Sequence, residues 1–322
     1  MSVKINPIEA ILRDYSIMIL DGALATELEK HGCDLNDPLW SARILLENPE
    51  VIYQVHADYF RAGADCAITA SYQATFDGFI KRGLSKQQAV EVIKNTVVLA
   101  KRARDDFWKE EMQSIRPKPL VVASVGPYGA YLADGSEYIG NYDVTDEALA
   151  DFHRPRMAAL IDAGADLLAL ETIPSLKEAK VLDSLLKDYP EVCAWLSFSL
   201  KNEQAISDGT LLGECARVFE SSKQIAAIGL NCAPSSVVTE AIKVLKANTQ
   251  KPIIVYPNSG EIYDSETKTW YGKEACNELD LQSEEWYRVG ARLIGGCCRT
   301  TPRLIEQISR KWRNFDKVSS SS

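Results

Sequence analysis

Eight short apolar runs punctuate the chain, at residues 17–20, 66–69, 120–125, 166–170, 193–198, 226–230, 252–256 and 292–294. Each is rich in Val, Ile, Leu or Ala and apolar throughout rather than alternating, the pattern of parallel strands buried on both faces. Between them lie stretches with apolar positions at helical spacing. In residues 49–62 these are Val51, Ile52, Val55, Tyr59 and Phe60, and in 86–107 they are Val90, Ile93, Val97, Val98 and Ala100. Two further helices are expected at 146–163 and 175–186. Three helix-to-strand joins share a signature, Arg61-Ala-Gly-Ala-Asp65, Asp162-Ala-Gly-Ala-Asp166 and Val289-Gly-Ala-Arg292, with glycine just past the helix end where a stop is expected.

Eight strand-then-helix units predict an α/β fold, a single (β/α)8 TIM-type barrel over residues 1–316, with 317–322 as a disordered serine-rich tail. An open doubly wound sheet is the alternative. It would carry a glycine-rich phosphate loop after its first strand, but Asp21-Gly-Ala-Leu-Ala-Thr26 follows here. A barrel needs about 250 residues, so the remaining length falls to loops, chiefly 128–142 and 258–279.

Composition narrows the function. The 322 residues are 46% hydrophobic and 25% charged, with net charge −9. No basic footprint for nucleic acid is present. No run reaches the ~18 apolar residues of a membrane span, and the first residues lack a signal peptide's pattern, so a cytoplasmic protein is expected.

A barrel carries its active site at the C-terminal ends of its strands. Polar and thiol residues gather there: Asp21 after the first run, Thr69-Ala-Ser-Tyr-Gln-Ala-Thr75 after the second, Gly126-Pro-Tyr128, Glu171-Thr172, Asn231-Cys232, Tyr256-Pro-Asn-Ser-Gly260 and Gly295-Gly-Cys-Cys-Arg-Thr300. Of the eight cysteines, Cys33, Cys66, Cys193, Cys215 and Cys276 read as packing residues. Cys232, Cys297 and Cys298 would meet at one rim, because only one strand separates the sixth from the eighth. Three thiolates suit zinc and leave a fourth position open; a disulfide, including one between Cys297 and Cys298, or simple burial also fits. Gly295 and Gly296 are expected to let the backbone turn and approach a ligand. Asp21 and Glu171 sit where carboxylates need a partner, either a ligand ammonium or an internal arginine. His31, His56 and His153 look peripheral, and a rim without histidine argues against Ser/His or Cys/His hydrolysis.

These rim segments, with Leu20-Asp-Gly-Ala-Leu-Ala-Thr-Glu-Leu28, Gly126-Pro-Tyr-Gly-Ala-Tyr131, Gly229-Leu-Asn-Cys232 and Val255-Tyr-Pro-Asn-Ser-Gly-Glu261, give a chain that resembles the homocysteine S-methyltransferase family over nearly its whole length. The resemblance implies methyl transfer to homocysteine, giving methionine, and a zinc ion on Cys232, Cys297 and Cys298. It also implies that Asp21 and Glu171 hold the amino-acid end of homocysteine. Gln73 stands where betaine-using relatives have an aromatic residue, so the implied donor is S-methylmethionine or S-adenosylmethionine. Trp40 and Tyr72 are candidates to face the sulfonium, and Ser71 and Asn231 to position substrate. Betaine as donor, selenohomocysteine as acceptor, and a non-catalytic zinc-binding barrel are the competing readings.

Overall fold

The structure is a computed structural model describing residues 6–35, 41–111, 116–258, 262–264, 269–271 and 279–319. Eight parallel strands form one sheet. In chain order they are Met18–Ile19, Cys66–Ile68, Leu120–Val125, Leu167–Ile173, Ala194–Phe198, Ile225–Asn231, Ile253–Tyr256 and Ala291–Ile294. The first pairs with the eighth, and each of the others pairs with its neighbour in sequence. All eight predicted runs are strands, with ends shifted by no more than a few residues. The barrel, not the open sheet, is the observed architecture.

The seam between the first and second strands closes through one backbone bond and two side-chain carboxylates. Asp65 N–H donates to Ile19 O at 2.7 Å, and Asp65 Oδ2 accepts from Ile19 N at 2.7 Å. One turn up, Asp21 Oδ2 accepts from Ile68 N at 2.8 Å. These carboxylates replace ladder carbonyls that two very short strands cannot supply. The recurring Gly-Ala-Asp signature has the same meaning at its second occurrence. Asp166 Oδ2 accepts from Val121 N at 2.7 Å and pairs with Arg104 at 2.9 Å, as Asp65 pairs with Arg313.

The outer helices match the predicted periodicity: Pro49–Ala62, Lys86–Glu110, Asp146–Asp162 and Leu176–Leu186. Gly63 ends the first of these at φ 105°, a left-handed position that costs a residue with a Cβ energy. The final helix runs Pro302–Ser319. The expected tail therefore does not begin at residue 317, because the apolar stripe of Ile305, Ile308 and Trp312, all buried, docks this helix on the barrel. A short helix missed in the sequence, Pro7–Asp14, lies at the opposite mouth of the barrel from the rim, with Ile8 and Ile11 in the interior cluster.

Alternation along the strands separates two cores. Val121, Ala123, Leu168, Leu170, Ala194, Leu196, Ile228, Leu230, Ile253 and Val255 face the helices. Met18, Leu20, Val122, Leu167, Ala169, Trp195, Ala227, Ile254 and Tyr256 fill the barrel. The period of two then assigns Ser124, Glu171, Ser197 and Asn231 to the interior, at the upper ends of their strands.

Candidate metal centre and substrate pocket

The Sγ atoms of Cys232, Cys297 and Cys298 lie within 4.8 Å of one another. Cys232 extends the sixth strand by one residue and takes φ 49°. Its N–H donates to Tyr256 O at 3.2 Å, and Cys297 N–H donates to Pro257 O at 2.7 Å, so the seventh strand's end holds both cysteines. Cys232 and Cys297 are joined as a disulfide, while Cys297 Sγ and Cys298 Sγ are 3.9 Å apart. The vicinal pairing considered from sequence is not the one formed. A metal and the Cys232–Cys297 bond exclude each other, since a metal needs both sulfurs as thiolates. The donor set fits a thiophilic ion: three sulfurs converge, and burial pushes the Cys298 thiol up to about 12, so a strong local positive charge is needed to ionise it at neutral pH.

Asn231 organises this corner. Its Oδ1 accepts from Thr172 N at 2.8 Å and Ser197 Oγ at 2.9 Å. Its Nδ2 donates to Thr172 Oγ1 at 2.7 Å and Cys232 Sγ at 3.3 Å. The backbone N–H of Thr172 fixes which end of the amide is oxygen. These four bonds all go to protein, one of them to Cys232 Sγ. Thr172, like Cys232, has a positive φ, 58°. Two strained non-glycine residues, at the ends of the fourth and sixth strands with the fifth between them, are held by one amide, the kind of strain that collects at functional sites.

Beside the sulfurs sit the two predicted carboxylates. Asp21 is 3% and Glu171 6% exposed. Asp21 Oδ1 is buried with no partner among the described residues. Glu171 Oε1 accepts from Ser124 Oγ, and its Oε2 lies 3.0 Å from Tyr256 Oη. Burial pushes Glu171 up to about 7 and Asp21 well above the usual carboxylate range, with Glu171's charge adding to the rise at Asp21. Among the described residues neither carboxylate pairs with a lysine or arginine, so the internal-arginine reading is not what is found.

Other predicted residues fall differently. Ser71 is fully buried, and its hydroxyl donates to Ser124 O at 2.7 Å; it belongs to the wall between the second and third strands. Tyr72 stands at the rim, its ring against Gly126, where a Cβ would fall 2.7 Å from it. Trp40 lies outside the described residues, as does Cys276. Cys66 and Cys215 are buried and Cys33 and Cys193 half-buried. Gly295 and Gly296 have no positive φ. Smallness serves packing there: a Cβ on Gly295 would meet Leu20 Cβ at 2.5 Å, and one on Gly296 the side chain of Thr300.

Ser124, Trp195 and Ser197 were missed as site residues because they lie within strands rather than just after them; strand parity carried the signal. Tyr256 was placed at the rim from sequence but given no role there. His153 and His56 are fully buried, 0% and 1% exposed, not peripheral. His153 Nε2 bonds Glu178 Oε1 at 2.7 Å, and Arg156 donates to His153 Nδ1 at 2.8 Å. Arg156 also donates to Gly126 O at 2.5 Å and Tyr72 O at 3.3 Å. This triad, reached through an outer helix, fixes the backbone that carries Tyr72.

Known proteins carry the same architecture. Residues 18–312 match the family model described as homocysteine S-methyltransferase. Homocysteine S-methyltransferase YbgG of Bacillus subtilis (strain 168) is 58% identical over 305 residues, covering 94% of this chain and 97% of that protein. The Escherichia coli (strain K12) homocysteine S-methyltransferase is 52% identical over 307 residues, covering 95% and 98%. The solved metallated form of the homocysteine methyltransferase MmuM from Escherichia coli superposes with TM-score 0.87 at 48% identity, over 95% of this chain and 100% of that one; its oxidized form gives 0.86 at 47% over the same shares. The chain belongs to the homocysteine S-methyltransferase family and is a methyltransferase acting on small-molecule substrates.

Proposed function

We propose that this enzyme moves a methyl group from a sulfonium donor, S-methylmethionine or S-adenosylmethionine, to homocysteine, with zinc on Cys232, Cys297 and Cys298. The observation that carries this reading is one of adjacency. Three converging sulfurs share the rim with two buried carboxylates that have no cationic partner among the described residues: Thr172, next to Glu171, reaches Cys232 Sγ at 4.0 Å, and Gly296, next to Cys297, donates to Asp21 O at 3.2 Å. One of the carboxylates has an unpartnered oxygen. An amino acid bearing a thiol answers both needs at once.

When bound, zinc would let the homocysteine thiol persist as a thiolate at neutral pH. Asp21 and Glu171 take the ammonium, which fixes the direction in which the thiolate points. Asn231 keeps Cys232 in place through its N–H to Sγ. The aromatic face of Tyr72 suits a sulfonium cation. The methyl carbon then leaves the donor sulfur as the thiolate sulfur bonds to it, and the donor departs as a neutral thioether. No side chain has to move a proton in that step, in keeping with the absence of a histidine among the groups placed here. Alignment of the two sulfurs supplies much of the rate.

The test is methionine formation from homocysteine with S-methylmethionine, S-adenosylmethionine or betaine, using zinc-loaded protein. Two methionines per homocysteine with S-methylmethionine are expected. Betaine as the preferred donor, or no product with any donor, would overturn the reading.

A further inference from the structure

The hydrogen bonds around Tyr256 can be assigned proton by proton, beginning from donors that have no freedom. Thr172 N–H must donate to Asn231 Oδ1, so that atom is an acceptor, and the Ser197 hydroxyl 2.9 Å away must donate to it. Ser197's one proton is then spent. Its 2.7 Å contact with Tyr256 Oη needs a proton from Tyr256, because two hydroxyl oxygens at that distance without one repel. Trp195 Nε1–H donates to Tyr256 Oη at 3.1 Å, and an indole N–H cannot accept, so that side takes no proton from Tyr256. Tyr256 therefore has no proton left for Glu171 Oε2, 3.0 Å away.

We infer that Glu171 stands in the ligand-free protein as a neutral carboxylic acid donating to Tyr256, and that seating an ammonium between Asp21 and Glu171 expels this proton to solvent. The assignment fills every valence of the chain Glu171, Tyr256, Ser197, Asn231, whereas an ionised Glu171 leaves one short contact without a proton. It deepens the proposed function and rests on the ammonium reading only for its second half.

The surroundings agree. The groups that sense Glu171's charge are Asp21, Cys66, Tyr72, Tyr256 and Cys298. All are neutral or acidic, so none of them brings a positive charge to a carboxylate; only the Ser124 and Tyr256 hydroxyls pull the other way, and burial outweighs them. Asp21 shares the pocket: its Oδ2 takes the fixed Ile68 N–H, which pulls it down, while burial and Glu171's charge push it up more strongly. Ligand entry balances as Glu–COOH plus ligand–NH3+ giving Glu–COO− against NH3+ and one H+ to water. Tyr256 can then turn its proton from Ser197 to Glu171, carrying news of an occupied pocket along Ser197 and Asn231 toward Cys232.

Difference infrared spectroscopy of the zinc-loaded, ligand-free protein tests the first half. A protonated-carboxyl band should be present at pH 6, fade as pH rises through about 7, persist in Asp21→Asn and be missing from Glu171→Gln. A Glu171 carboxylate at pH 6 overturns the inference. Calorimetry with L-methionine, which has no thiol proton to lose, tests the second half in buffers of different ionisation heat. Close to one proton released per ligand at pH 6, falling toward none at pH 8, where the ligand amine is still an ammonium, supports it. Binding at pH 6 without release overturns it. If L-methionine fails to bind at all, the ammonium reading falls while the infrared titration still decides Glu171's state.

Discussion

The side-chain amide of Asn231 donates to Cys232 Sγ at 3.3 Å while the same side chain accepts from Thr172 N–H at 2.8 Å. One residue thus joins the strand end that carries a predicted zinc ligand to the strand end that carries Glu171. Groups that orient metal ligands typically change affinity by about 10–100-fold when removed. Asn231→Ala is expected to weaken zinc binding by roughly that factor, read by competition with a chelator. Unchanged affinity would leave the amide a purely structural link.

The Cys232–Cys297 disulfide and the metal draw on the same sulfurs. Metal-free protein kept without reductant is expected to show two fewer titratable thiols than reduced protein and to take up zinc only after reduction. Cys298→Ala, which leaves that disulfide pair intact, should lose zinc and methyl transfer together. Full activity in zinc-free Cys298→Ala would sink the metal mechanism.

Asp21→Asn keeps an acceptor for Ile68 N–H but removes a charge from the pocket. Hydrogen bonds to charged groups contribute about 1.5–3 kcal/mol, so kcat/KM for homocysteine should fall by roughly 10- to 100-fold. Zinc content should not change. Unaltered homocysteine kinetics would reject the ammonium role.

Glu171 also makes stability depend on pH. Its folded value, about 7, lies above the ordinary 4.5, so the unfolded chain gives up this proton first. The stability tied to its neutral form is fully present below about pH 4.5 and is lost as pH rises through about 7, on the order of 3 kcal/mol in all. Glu171→Gln should therefore match the wild type near pH 4.5 and melt higher than ligand-free wild type at pH 8. An equal difference at both values would show that the substitution acts through packing.

Arg156 is 1% exposed and donates to Gly126 O, Tyr72 O and His153 Nδ1. Arg156→Met would leave these buried acceptors unpaired. A loss of about 3–5 kcal/mol in denaturant unfolding is expected. The KM for the methyl donor should rise as Tyr72 loosens. Unchanged stability would mean that water replaces the guanidinium.

The sequence by itself determined the barrel, because buried parallel strands are apolar throughout and their helices keep a 3.6-residue period; even Pro49–Ala62 was legible to the residue. It also marked Asp21, Glu171, Cys232, Cys297 and Cys298, whose chemistry is out of place at the end of an apolar run. Which partner each polar atom takes emerges only from the folded arrangement. Ser71 looks like a rim residue but spends its proton on Ser124 O, and Asn231 looks like a substrate contact but makes four bonds to protein. His153 and Glu178 come from two different helices, and Ser197 from a strand that reads as plain core. Hydrophobic pattern is a property of one segment, whereas a hydrogen bond needs two groups whose distance is set only when the eighth strand closes against the first.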